Sequence, residues 1–380
     1  MRIAIICPYY PFPPSVGGVE TIVRQAATEL VKRGYEVHIV TTPFDVTTGK
    51  QVSNYGTEER SGITVHKLEP RFIKIGYARV MKGLKDTLHS IKPDIVHCHN
   101  LHPHLLQINK WKKYFRYKLV SELHHPAATV NKVVQKILLP IAFYYVKMNQ
   151  ENIDAFIAHT ELERKWLISR GIREESIYKI FFPAIPQELL RYKPRRHYNT
   201  DIIFVGRIVQ EKGVHVLIKA LSIIVREIND VKLWVIGPAD YKYFKKILRL
   251  TRKLGLEKNV EFKGPMYSYE KLDAIASAKI LVLPSLKEYT PNVVLEAQAL
   301  GVPVVATAVG AIHDLVINGR TGILVRRNNA KDLADAICML LKEDRLRKIM
   351  SVKAKENAMM YTLTHSVSML ELLYHELSLH

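Results

Sequence analysis

Residues 280–306 read ILVLPSLKEYTPNVVLEAQALGVPVVA, and this stretch sets the fold class. The wholly apolar run Ile280–Leu283, stopped by Pro284, has the length and composition of a buried strand. A polar loop follows, then a helix over Pro291–Leu300, with Thr290 as the expected N-cap and Pro291 at the first helical position. Gly301 and Pro303 end the helix, and Val304–Ala306 starts another apolar strand. Strand, helix and strand in so short a span make a βαβ unit, hence a parallel sheet.

The same alternation extends in both directions. On the C-terminal side it includes a strand at Asp201–Val205, a helix at Val214–Ile228, a strand at Lys232–Ile236, a helix at Tyr241–Leu254 and a strand at Val260–Phe262. On the N-terminal side it includes strands at Arg2–Cys7, Glu36–Thr41, Thr64–Leu68, Asp94–His99, Lys118–Leu123 and Ala155–Ala158, with helices at Gly18–Arg33 and Val80–Ile91. A charged, proline-containing stretch, Arg191–Asn199, reads as a linker. A chain of 380 residues is long enough for two domains. The division expected is 1–188 and 200–360, each an α/β doubly wound sheet, with 361–380 as a C-terminal helix returning to the first domain. In such sheets ligands bind beyond the carboxyl ends of the strands.

The chain carries 56 basic and 36 acidic residues, net +20, so an anionic partner is expected: a phosphate-bearing substrate, an anionic lipid or a nucleic acid. Residues 67–147 hold fifteen basic and four acidic residues, which localises the excess of the first half. Three widely spaced cysteines argue against a disulfide framework and for a reducing compartment. MRIAIIC reads as a first strand and not as a signal peptide, and the longest apolar run, Ile137–Val146, is interrupted by Pro140 and too short to span a bilayer. The expected location is the cytoplasm, with the inner membrane face as a peripheral site.

Three loops carry anion-binding features. Pro14–Glu20 places Gly17 and Gly18 at a helix start, where bare backbone N–H groups and the helix dipole favour a bulky anion; the plain alternative is an ordinary strand-to-helix turn. It is not a GxGxxG sequence, and no acid is placed to hold a nicotinamide-cofactor ribose, which weighs against a dehydrogenase. Val205–Gly213 follows a strand and offers Arg207 as a planar fork and Lys212 as a point charge, against the alternative of solvated loop charges. In the opening stretch, the N–H groups of Asn292 and Val293 form another anion site, and Glu288 and Glu296 stand eight positions apart, in the loop and inside the helix. Glu296 also reads simply as an acid complementing a helix start.

These pieces, together with KPDIVHCH, LVSELHH, LWVIG, VEFKGPM, ALGVPVVAT and NGRTGILV, closely resemble family 4 of the retaining glycosyltransferases, in order and spacing over nearly the whole chain. The resemblance implies a GT-B fold: two doubly wound Rossmann-like domains facing across a cleft, the second binding a nucleotide-sugar donor and the first an acceptor, with no required metal or other cofactor. Residue by residue, it implies that Gly17 and Gly18 approach the donor phosphates, Arg207 and Lys212 hold the diphosphate, Glu288 and the backbone after it hold the sugar, Glu296 holds the ribose, and the backbone at Met266 receives the base. His124 is implied at the reacting centre, with His125 as its neighbour. Two departures, Pro183-Ala184-Ile185-Pro186 in place of Pro-Asn-Gly and Gly310-Ala311 in place of Gly-Gly, touch donor identity and hinge geometry. The expected reaction is transfer of a sugar from a UDP- or GDP-sugar to a hydroxyl of a glycan or lipid-linked acceptor. The alternatives are a sugar-nucleotide epimerase of similar fold, which would consume donor without acceptor, and a non-catalytic basic protein that binds nucleic acid or membrane.

His97, His99, His102 and His104 have metal-ligand side chains, but in the sequence no acidic residue joins them, so they read as strand-end residues near the acceptor and not as a metal site. Lys110, Trp111, Lys112, Lys113, Arg116 and Lys118, interleaved with aromatics, read as an anionic-membrane or acceptor patch, against the alternative of a solvated helix face. No nucleic-acid binding motif accompanies them.

Overall fold

The computed structural model describes residues 1–13, 18–45, 48–72, 79–100, 103–123, 139–182 and 184–379. The chain forms two compact units, Met1–Ala184 with Leu363–His380, and Ile185–Thr362.

Among the described residues, ten strands belong to the first unit: β1 (Arg2–Ile6), β2 (Glu36–Thr41), β3 (Gly56–Arg60), β4 (Ile63–Lys67), β5 (Pro70–Phe72), β6 (Arg79–Met81), β7 (Ile95–His99), β8 (Lys118–Glu122), β9 (Ala155–Ala158) and β10 (Ile177–Lys179). Eight of them form one sheet in the order β10-β9-β8-β7-β1-β2-β4-β3, while β5 and β6 pair separately. Every pairing in the large sheet is parallel except β3 with β4. The central strands are buried along nearly their whole length, as two-sided burial requires. Helix Gly18–Lys32 lays Ile22, Val23, Ala26, Ala27 and Leu30 on one face of the sheet, beside Val367, Leu370, Leu373 and Tyr374 of the C-terminal helix Leu363–Leu379. Leu84, Leu88 and Ile91 cover the opposite face with Leu105 and Ile108. Each such fully buried aliphatic side chain contributes roughly 1.5–3 kcal/mol.

The helix expected over Val80–Ile91 is shorter than its sequence pattern. Its first residues form β6 against β5, Gly83 turns the chain at φ 79°, and the helix runs Leu84–Ile91. Gly83 supplies a left-handed conformation that a side chain would resist.

The second unit has β11 (Ile202–Val205), β12 (Leu233–Ile236), β13 (Val260–Gly264), β14 (Ile280–Leu283), β15 (Val304–Thr307) and β16 (Gly322–Val325) in the order β13-β12-β11-β14-β15-β16. All are parallel. The chain winds outward one way from β11 and the other way from β14, so the loops leaving these neighbours diverge at the topological switch point, where α/β sheets form their ligand crevice. Arg191–Asn199 is no free linker but is docked on this unit. Tyr192 Oη donates to Asp273 Oδ1 at 2.7 Å, Arg195 N donates to the same oxygen at 2.9 Å, and the Arg195 guanidinium lies 3.6 Å from the Tyr269 ring centroid. Ile185 N donates to Tyr361 O at 3.0 Å, which pairs the two ends of this unit.

Candidate functional site

At the switch point of the second unit the loop after β11 meets the loop after β14. Gly213, at φ 69°, is pressed so closely on this loop that a Cβ there would stand 2.0 Å from the Pro284 carbonyl oxygen. Leu286 N donates to Glu211 O at 2.7 Å, fastening the same two loops. Lys212 is thereby held against Glu288, with Nζ donating to Oε1 at 2.6 Å. Ser285 Oγ donates to that oxygen at 2.7 Å, and Glu288 is only 8% exposed. Gly310 packs behind, where a Cβ would meet Glu288 O at 2.0 Å. Such a pair is rigid and oriented, whereas a surface pair would contribute almost nothing.

The following helix runs Asn292–Ala299, with Pro291 and not Thr290 as its N-cap residue. Thr290 is displaced from the cap because Pro291 is extended at φ −80°, ψ 96° and so lies outside the helix. No side chain caps this end, which leaves the first-turn N–H groups of Asn292 and Val293 pointing beyond the helix. Glu296 Oε1, one turn in, accepts from Lys271 Nζ at 2.7 Å. Arg207 is exposed on the turn after β11, and half-buried Met266 lies just past β13. All these residues therefore sit beyond the carboxyl edge of one sheet, and the structure brings Lys212 into contact with Glu288 while Glu296 is engaged by Lys271. Ser285, Lys271 and Gly213 were not singled out by the sequence; strand-end and loop positions mark Ser285 and Gly213, while Lys271 lies inside the helix Ser268–Ser277.

In the first unit helix Gly18–Lys32 begins at Gly18, and its acid Glu20 is buried, which raises its pKa. Gly17, His102, His124 and His125 lie outside the described residues. Leading up to them, β7 and β8 end in a buried cluster. His97 and His99 are joined by an acid after all, since the parallel register sets Glu122 opposite His99. Glu122 Oε1 lies 3.1 Å from His97 Nε2, and Oε2 lies 3.0 Å from His99 Nδ1 and 3.3 Å from His159 Nε2. Burial alone would lower the His159 pKa, but the Glu122 carboxylate outweighs it and holds the imidazole up at about 9. The thiols of Cys7 and Cys98 are pushed up by burial, so neither is an activated nucleophile.

Residues 110–118 are not a single helix face. Helix Pro103–Trp111 ends inside the stretch and β8 begins at Lys118. Lys112 Nζ donates to Asp154 Oδ2 at 2.5 Å and Lys118 Nζ lies 3.9 Å from Asp154 Oδ1, while Trp111, Phe115 and Tyr117 pack on the core. Lys110, Lys113, Tyr114 and Arg116 remain exposed. Asn109 Nδ2 donates to Asn149 O at 3.3 Å, which places the end of this helix beside the end of helix Leu139–Met148, whose Ile141, Tyr144 and Met148 are each more than 60% exposed. No helix among the described residues is long and apolar enough to cross a membrane.

Two Rossmann-like units, each built on an α/β sheet of mainly parallel strands, define the GT-B class of fold. HepE of Anabaena, solved in complex with UDP, superposes with a TM-score of 0.73 at 18% identity over 99% of this chain and all of that one. The profile described as Glycosyltransferase Family 4 matches residues 16–181 and that described as Glycosyl transferases group 1 matches residues 188–357. The chain belongs to this family of glycosyltransferases. Relatives include the N-acetyl-alpha-D-glucosaminyl L-malate synthase of Bacillus anthracis, 26% identical over 94% of this chain and 92% of that one, and the phosphatidyl-myo-inositol mannosyltransferase of Mycobacterium leprae, 27% identical over 92% and 89%.

Proposed function

We propose that the chain transfers a sugar, with retention of anomeric configuration, from a UDP- or GDP-sugar held by the second unit to an acceptor hydroxyl bound mainly by the first. The observation that carries this reading is the part-buried Lys212–Glu288 pair at the switch point, beside an uncapped helix N-terminus. As the anomeric carbon–oxygen bond breaks, negative charge grows on the departing diphosphate. Lys212, held on Glu288, and the N–H groups of Asn292 and Val293 are fixed positive groups able to stabilise that charge without rearranging, and exposed Arg207 adds a further positive charge. They take the role a divalent ion would otherwise fill.

In this reading Glu288 has two functions: it orients Lys212, and with the backbone after it contacts the sugar. Glu296 accepts a ribose hydroxyl, its carboxylate held in place by Lys271, and the backbone at Met266 meets the base. Gly17, Gly18 and His124 act from the first unit, His124 at the reacting sugar. The acceptor attacks on the leaving-group side, and the departing phosphate oxygen takes the acceptor proton. HepE's complex with UDP supports a uridine donor.

Glu296→Ala is expected to raise the KM for donor about tenfold or more, the scale of one hydrogen bond to a charged group, with kcat changed much less. A large fall in kcat at unchanged KM contradicts ribose binding. Radiolabelled donor should be consumed only when acceptor is present; consumption without acceptor, and with sugar inversion, identifies an epimerase.

For the acceptor, a phospholipid-bearing one named for the Mycobacterium leprae relative supports a lipid-linked hydroxyl at an anionic membrane surface. Exposed Lys110, Lys113 and Arg116, with the apolar side chains of helix Leu139–Met148, supply the matching chemistry. At about 1 kcal/mol per basic residue near such a surface, replacing all three by glutamate should lower binding to phosphatidylglycerol vesicles at least a hundredfold. Equal binding by wild type to phosphatidylcholine vesicles removes the electrostatic basis.

A further inference from the structure

We propose that His97, His99 and Glu122 bind one divalent ion of the zinc class inside the first unit, three protein ligands that leave the fourth position to a water. Side chains two apart on a strand share a face, so β7 presents His97 and His99 together, and the register with β8 adds Glu122 beside His99. One ligand atom from each of the three lies within 4.8 Å of the others. All three residues are at most 2% exposed.

The spacing suits a shared ion. Zinc bonds of about 2.0–2.1 Å in a tetrahedral arrangement put neighbouring ligand atoms roughly 3.3 Å apart; Glu122 sets Oε1 3.1 Å from His97 Nε2 and Oε2 3.0 Å from His99 Nδ1, one oxygen to each nitrogen. His97 Nε2 makes no hydrogen bond of acceptable geometry even at that distance. Two nitrogens thus converge on a carboxylate, and one of them is not aligned to donate to it.

The surroundings match those of metal ligands, whose outer groups fix tautomer and orientation. His97 Nδ1 is 2.6 Å from Tyr374 Oη, leaving Nε2 to face the cluster. His159 Nε2 lies 3.3 Å from Glu122 Oε2 and its Nδ1 lies 2.8 Å from Ile180 O, so the carboxylate is held from outside as well. Two imidazoles and a carboxylate, with no thiolate, select zinc-like ions over the all-oxygen preferences of magnesium and calcium. Because β7, β8, β9 and the C-terminal helix all contribute to the cluster, the ion would tie the chain's last helix into the first unit's sheet, and binding it would be coupled to folding.

The test uses the full chain without an affinity tag, reconstituted with Zn²⁺, passed through a desalting column and assayed for metal by plasma mass spectrometry. One retained ion per chain is expected, together with a Zn²⁺-dependent rise in Tm and a visible ligand-field band on Co²⁺ substitution. The double variant His97→Asn/His99→Asn should lose all three. His38→Gln/His66→Gln, which alters the other histidine pair, 3.1 Å apart on β2 and β4, should keep them. Folded wild-type chain that retains no ion and gives no Co²⁺ band overturns the proposal, as does retention by the His97/His99 variant. If that variant does not fold, X-ray absorption on the zinc-loaded wild type decides: two imidazole nitrogens in the shell are expected, and a shell without imidazole overturns the site.

Discussion

Lys212→Ala is expected to lower kcat/KM for sugar transfer by about a hundredfold or more, the scale for losing one preorganised group that stabilises developing charge. The side chain is poised for this because Glu288 Oε1 holds its Nζ at 2.6 Å while Ser285 Oγ holds the same carboxylate oxygen at 2.7 Å. Removing the lysine has a second consequence: Glu288, nearly buried, loses its partner cation. Steady-state kinetics with donor varied separates the effects. Losing a charge that matters most as the bond breaks should lower kcat, whereas losing one that only binds ground-state diphosphate should raise KM. Lys212→Arg, which keeps the charge but changes its shape, should recover part of the rate. Unchanged kcat/KM in Lys212→Ala removes Lys212 from the chemistry.

Gly213→Ala should destabilise the second unit markedly and reduce activity with it. Two effects combine there. A left-handed φ of 69° costs a non-glycine residue about 1–3 kcal/mol, and the new Cβ would fall 2.0 Å from the Pro284 carbonyl oxygen, forcing backbone apart. Gly255 separates them, because it has nearly the same φ, 68°, with open space where a Cβ would go. Gly255→Ala thus reports the backbone cost alone, a Tm decrease of roughly 2–12 °C for a unit of this size. Gly213→Ala should fall further and should also weaken donor binding, since the loops it separates are those that set Lys212 on Glu288. Equal Tm decreases and equal kinetics in the two variants would mean that the close approach of these loops is immaterial.

The parallel sheets were legible because their strands are apolar on both faces and alternate with amphipathic helices. Ile280–Leu283 and Ala155–Ala158 needed nothing else. β3 was not legible: GTEER is polar and mostly exposed, and its place comes from edge pairing with β4, which no local pattern encodes. Val80–Ile91 kept a helical period across a turn that one glycine imposes. In the site, loop positions and charges singled out Lys212, Glu288 and Glu296, but not their partners. Lys271 reaches Glu296 from a neighbouring helix, and Glu122 reaches His99 from a neighbouring strand, so both depend on tertiary register. The reading of His97 and His99 as lacking an acid failed for that reason, and Arg191–Asn199 resembled a linker because its contacts with Asp273 and Tyr269 are long-range.

The central claim, a nucleoside-diphosphate site at the switch point of the second unit, is tested most directly by calorimetric titration of the intact chain with UDP, GDP and ADP, repeated on Lys212→Ala and Glu296→Ala. Saturable binding of UDP or GDP, one per chain, is expected, weakened in both variants and retained without added divalent ion. Folded wild-type chain that binds none of the three, or binds them equally well after both substitutions, would contradict the site.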